Sequence, residues 1–177
     1  MKQIPFVGQK FDYDCGPASA TMVARALGYP VNLEEMTRLC GTSSKYGTSP
    51  AAMVDGLQKA GLKATLHDKL LKQDLISLLD KDCMIILDYW DYSEGHYVVL
   101  SDIIDNSDGT SQVVVLDPAY DLDKDDPDPT ISLDWDDFYT NWFDYEVDGN
   151  NRTFTDRLAI VIEKMPKKAL KTRINAK

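Results

Sequence analysis

Only two histidines stand among the 177 residues of this chain, so chemistry that needs an imidazole has two candidates, His67 and His96. Cysteine is nearly as scarce. Three cysteines cannot all pair within one chain, and a disulfide-stapled scaffold is excluded; reduced thiols are expected. Long apolar runs are missing as well, none approaching the ~18 residues a membrane-spanning helix needs. The opening residues, Met1 to Gln9, show neither an apolar stretch nor a small-residue cleavage site, so no secretory signal, no membrane and a cytoplasmic setting are expected. Positive charge is in deficit: 19 Lys and Arg stand against 29 Asp and Glu, a net charge of −10. A phosphate backbone wants clustered cations, which argues against a nucleic-acid partner. What is present, 44% hydrophobic and 27% charged residues, fits one globular domain large enough to bury a core.

The front half reads as helices. Pro17 to Leu27 is rich in Ala and Met, with Pro in its first turn and Gly28 just past its end. Asn32 caps a second, short helix with Glu35 three residues on, and Cys40-Gly41 closes it. Ser49-Pro50 opens a third helix to about Gly61, and Lys72 to Lys81 makes a fourth. The period then changes. Cys83 to Tyr89 is an apolar run of strand length, and His96 to Ile104 is rich in Val, Ile and Tyr. Asn106 to Gly109 turns this strand into Gln112 to Leu116, and Leu158 to Glu163 is a last strand. Tyr120 to Pro129 and Glu146 to Asp156 read as loops. Asp134 to Phe143 reads as an amphipathic helix carrying Trp135, Phe138, Tyr139 and Trp142. Helices first and strands later predict an α+β domain with an antiparallel sheet over residues 1–166, followed by a Lys-rich tail, 167–177.

A thiol attacks a carbonyl as its thiolate, which a helix N-terminus and a nearby imidazolium both favour. Asp14-Cys15-Gly16-Pro17 leads straight into the first helix, and Gly16 lets a substrate approach closely. The developing oxyanion needs donors. The backbone N–H at Cys15 is one candidate, and the side-chain amide of Gln9, six residues earlier, is another. His96 opens a strand, a rigid mount for a proton carrier, whereas His67 lies in a short polar-flanked segment and reads as a surface residue. Asp117 ends the neighbouring strand of the hairpin, where a carboxylate would orient the imidazole.

These blocks carry a family resemblance. Gln9 with Cys15-Gly16-Pro17-Ala18, then Gly95-His96-Tyr97-Val98-Val99-Leu100, then Leu116-Asp117-Pro118-Ala119, resemble the signature blocks of the C39-like peptidases of the papain-like superfamily. Gly47-Thr48-Ser49-Pro50 with Met53, the stretch Ser132 to Phe138 with Trp142, and Leu158 to Ile162 match in the same order, so the resemblance spans nearly the whole chain. It implies a papain-like fold, a Cys-His-Asp triad acting on a peptide or protein substrate through a thioester, and no metal or organic cofactor. Well-known members cut leader peptides after paired glycines and are fused to export ATPases. This chain departs from them in having no membrane helices and no P-loop, and the stretch Asp144 to Asp156 exceeds the family's usual link.

Other features have plainer readings. Cys40 and Cys83 read as buried structural thiols. Asp121, Asp123 and Asp125 suggest a calcium loop, but Asp126 stands where Gly is required and Ser132 where Glu is required, so the segment reads as a solvated acidic loop. The aromatic stripe of Trp135, Phe138, Tyr139 and Trp142 reads as core packing. Hydrolysis, acyl transfer, glutamine deamidation and silent peptide binding all remain open to these residues.

Overall fold

The computed structural model describes residues 3–91, 94–120, 128–148 and 151–164. The expected basic tail and most of the acidic 120–129 loop, with the aspartates of the calcium-like motif, lie outside the described residues. Four helices fill the front half: α1 (Cys15–Ala26), α2 (Leu33–Cys40), α3 (Pro50–Lys59) and α4 (Lys72–Asp80). Their ends follow the capping chemistry read from sequence. The Asn32 side chain accepts from the Glu35 N–H at 2.9 Å, Ser49 accepts from the Ala52 N–H at 3.3 Å, and Gly41 closes α2 in the left-handed conformation. Helix α1 begins two residues earlier than expected, because a 3-10 turn over Asp12–Asp14 feeds directly into it.

The strands are β1 (Lys63–His67), β2 (Met84–Asp91), β3 (Glu94–Asp105), β4 (Ser111–Leu116), β5 (Thr130–Asp134), β6 (Phe143–Asp148), β7 (Asn151–Asp156) and β8 (Ala159–Glu163), with α5 (Trp135–Asn141) after β5. Six of them form one antiparallel sheet in the order β1-β8-β2-β3-β4-β5, and β6-β7 make a separate hairpin. Residues 146–156, expected from sequence as loop, instead include the end of β6 and all of β7. Its aromatic residues explain why: Phe143, Tyr145 and Phe154 pack with one another and against Trp90, with ring centroids 5.5–5.9 Å apart. Strands β1 and β5 were also not predicted as strands. Both are short edge strands, with one buried side chain in β1 and none in β5, so the period-2 signal is weak.

The sheet separates two apolar layers. On one face, Met84, Ile86, Tyr97 and Val99 meet α1 and its neighbours α2 and α3. On the other, Ile85, Leu87, Tyr89 and Val98 meet Leu75 of α4 and Phe138 and Trp142 at α5. Trp142 is fully enclosed, and its indole N–H donates to the Leu158 carbonyl at 2.9 Å. Tyr139 of the same stripe is 38% exposed, so only part of it is core.

Helix α1 is buried from Cys15 to Ala24, and its alanines and glycine let it lie close to β3. Ser19 donates to the Tyr97 carbonyl at 3.0 Å and Thr21 to the Pro17 carbonyl at 2.7 Å, so both buried hydroxyls are satisfied. Helices α2 and α3 cross at Gly56, where a Cβ would stand 2.9 Å from the Cα and N of Cys40. Helix propensity alone favours alanine over glycine by ~1 kcal/mol. We expect Gly56→Ala to destabilise the protein nonetheless, because backbone atoms must move apart; a thermal midpoint equal to or above that of the wild type would contradict this packing.

Candidate active site

Cys15 is the first residue of α1, and its backbone N–H sits at the helix N-terminus. Gly16 beside it has no room to spare: a Cβ there would meet the Met53 sulfur at 2.9 Å and the Tyr97 ring at 3.2 Å. His96 lies on β3 opposite Tyr89 and is 8% exposed. Its Nε2 and Asp117 Oδ1 are 2.7 Å apart. The same ring interacts with the Cys15 side chain. Asp117 follows β4, and the Ala119 N–H also donates to its Oδ1, at 2.8 Å.

Burial by itself would strip the proton from His96. The hydrogen bond to Asp117, the contact with Cys15 and the charges of both outweigh it, raising the imidazole from its ordinary 6.5 to about 10. Burial would likewise raise Asp117, but the bond and charge of His96, with the Ala119 N–H, hold it below its ordinary value. His96 and Asp117 are thus a buried, hydrogen-bonded ion pair.

Gln9 lies between the lead-in to α1 and the end of β4. Its backbone N–H donates to the Pro118 carbonyl at 2.8 Å and its side-chain N–H to the Phe11 carbonyl at 3.3 Å. Its Oε1 is buried without a partner. The other candidates lie apart from this cluster. His67 is exposed at the end of β1, where its Nε2 and the Thr65 hydroxyl are 3.0 Å apart. Cys15 and Cys40 are free thiols. Cys40 is buried at the α2–α3 crossing, and burial pushes its thiol up to about 12. Cys83 is buried just ahead of β2.

A cleft of about 650 Å³ opens beside Cys15. Its walls come from the 41–50 segment, from Trp90, Gly95 and Tyr97 of the sheet, and from Asp144 and Glu146 of β6. The space that Gly95 leaves open is filled: the Asp144 carboxyl sits where a Cβ would be. Behind it lies Asp88, fully buried, with no donor to either oxygen. The carboxyl of Asp144 is within hydrogen-bond reach of it, a contact that binds only when one of the two holds a proton. Burial, followed by the Asp144 charge, drives Asp88 far above an ordinary carboxyl, and burial also raises Asp144 and Glu146. None of these three carboxyls was singled out from sequence. The available signal was Asp88 itself, an aspartate inside an otherwise apolar strand. Among the described residues no group of three or more potential ligands could hold a metal ion, and no helix is long and apolar enough to cross a membrane.

The family model of the peptidase C39 family matches residues 3–145. An uncharacterized protein from Methanothermobacter thermautotrophicus is 31% identical over 117 residues, covering 64% of this chain and 70% of that protein. The crystal structure of the peptidase domain of Streptococcus ComA, a bifunctional ABC transporter involved in quorum sensing, superposes with a TM-score of 0.62 at 20% identity, over 92% of this chain and all of that one. A double-glycine-motif protease from an AMS/PCAT transporter, solved in complex with the leader peptide, gives a TM-score of 0.62 at 16% identity over 93% and 94% of the two chains. The α+β architecture, with the helical half packed on an antiparallel sheet, is the papain-like fold of these domains. With its cysteine at a helix tip facing a strand-borne imidazole, this chain belongs to the peptidase C39 family of cysteine peptidases.

Proposed function

We propose that this chain hydrolyses a peptide bond through a thioester on Cys15, with His96 as proton carrier, Asp117 as its orienting partner, and Gln9 and the Cys15 backbone N–H as oxyanion donors. The observation that carries the reading is the imidazole of His96, 2.7 Å from Asp117 and interacting with Cys15 as well. In the first half-reaction the sulfur bonds to the carbonyl carbon. The C–N bond then breaks, and the leaving amine takes its proton from His96. In the second, water attacks the thioester while His96 accepts a proton from it, and the thiol is restored. Asp117 keeps the ring oriented and stabilises its charged form. Gln9 uses one amide hydrogen on Phe11 and retains the other for the oxyanion. A peptide as substrate class is supported by the likeness to a protease whose structure holds its leader peptide.

In steady-state assays against a peptide library, Cys15→Ala and His96→Ala should each lower turnover by about 10³-fold or more. Gln9→Ala should lower kcat by ~10²–10³ with a smaller effect on KM. Undiminished hydrolysis by Cys15→Ala would refute the reading.

The ion pair also sets a pH dependence. His96 is raised from 6.5 to about 10, so its stabilising contribution is full below 6.5 and is lost as pH rises toward 10. Asp117 is depressed, so its contribution holds above 3.8 and is lost as pH falls through its lowered value. Urea midpoints should therefore decline between pH 6.5 and 10 in the wild type and decline less in His96→Gln. Parallel curves for the two proteins would count against a buried imidazolium.

A further inference from the structure

The three carboxyls at the far wall of the cleft are not used by the chemistry proposed above. Asp88 pairs with Tyr97 across β2–β3 and so shares its face of the sheet; Trp90 and Gly95, the next such pair, share it too. Tyr97, Trp90 and Gly95 all line the cleft, so Asp88 is aimed at the cleft floor from behind Asp144. Asp144 and Glu146, two residues apart on β6, present their carboxyls at the opening. Among the described residues no Lys, Arg or His pairs with any of the three. The Tyr97 hydroxyl is directed elsewhere, donating to the Thr48 carbonyl at 3.1 Å. A buried carboxylate without a donor is costly, and a cation that brings its own N–H groups relieves it.

We propose that the cleft beside Cys15 selects a substrate with a basic residue on the acyl side of the cleaved bond, its ammonium or guanidinium group seated between Asp144 and Glu146 with Asp88 behind. The inference rests on the cysteine-peptidase reading and adds the substrate class. The acyl side follows from the direction of proton transfer. His96 must reach the leaving amine, so the leaving half lies toward the imidazole; the cleft is lined by Cys15 and not by His96. Trp90 and Tyr97 supply apolar surface for the alkyl stem of a lysine or arginine. The same wall suits an organic cation better than a metal ion, since no metal-binding group of residues is found among the described residues. Lys45 and Arg152 also line the cleft, against Asp12, Glu94, Asp144 and Glu146. Lys45 lies over the Tyr46 ring, 4.8 Å from its centroid, on the 41–50 wall. Arg152 lies on β7, opposite Val147 of β6, and makes no ion pair with Asp144 or Glu146.

The test is the rate at which Cys15 is alkylated by peptidyl chloromethyl ketones that carry arginine, norleucine or glutamate at one of the two positions before the ketone and glycine at the other. Arginine should react fastest, at least about tenfold ahead of norleucine, the ratio that one partly desolvated ion pair supplies. The ratio should fall severalfold in Asp144→Asn and in Glu146→Gln, two isosteric changes of which either suffices if the other fails to fold. It should stay in Glu34→Gln, an exposed change on α2 that alters net charge equally. Equal rates for arginine and norleucine, or a ratio unmoved by both β6 variants, would overturn the inference while leaving Cys15 a reactive nucleophile. No labelling of Cys15 by any of the three would instead overturn the peptidase reading, and this inference with it.

Discussion

Ser19 lends its hydroxyl to the carbonyl of Tyr97, and the arrangement around the cleft hangs from that seam between α1 and β3. Ser19 lies four residues, about one turn, after Cys15, and Tyr97 directly follows His96, so the bond ties together the immediate neighbours of sulfur and imidazole. Gly16 makes the seam tight, because any side chain there would strike Met53 and Tyr97. Reactions of this kind are sensitive to displacements of about 1 Å. A helix buried along nearly its whole length, clamped to the central strands of a sheet, meets that tolerance better than a loop would.

The electrostatics divide on either side of Cys15. Toward β4 lies a satisfied pair, His96 with Asp117, whose opposite charges keep each other ionised despite burial. Toward β6 lies an unsatisfied set, Asp88 with Asp144 and Glu146, where burial first, and at Asp88 and Glu146 also the charge of Asp144, opposes ionisation. The first arrangement is stable as it stands. The second departs from the rule that buried polar groups are hydrogen-bonded, since both oxygens of Asp88 lack a donor, and such departures concentrate where a protein meets its ligand.

The parts of this fold that were legible in the sequence are those with local chemistry. Asn32, Gly41, Ser49 and Pro50 announce helix ends because caps satisfy backbone groups within a few residues. The apolar runs of β2, β3, β4 and β8 announce buried strands. Cys15, His96 and Asp117 were selected by residue type and by the elements that carry them. Strands β1 and β5 were missed because edge strands bury too little to show alternation, Ala64 being the one buried side chain of β1. The β6–β7 hairpin was missed because its polar residues outweigh its aromatics in composition, and because its anchor, Trp90, is more than fifty residues away. Asp88 stayed hidden for a related reason: what makes it unusual is the company of Asp144, a partner far along the chain.

That hairpin shares no backbone ladder with the six-stranded sheet; Phe143 and Tyr145 pack on Trp90, the Asp144 carboxyl sits against Gly95, and the Lys69 N–H donates to the Asp156 carbonyl. It behaves as an appliqué: what it presents to the cleft can be exchanged without re-registering any strand that carries Cys15's partners. What β6 sets against the cleft is thus free to drift in sequence while the strand pairing around His96 stays as it is.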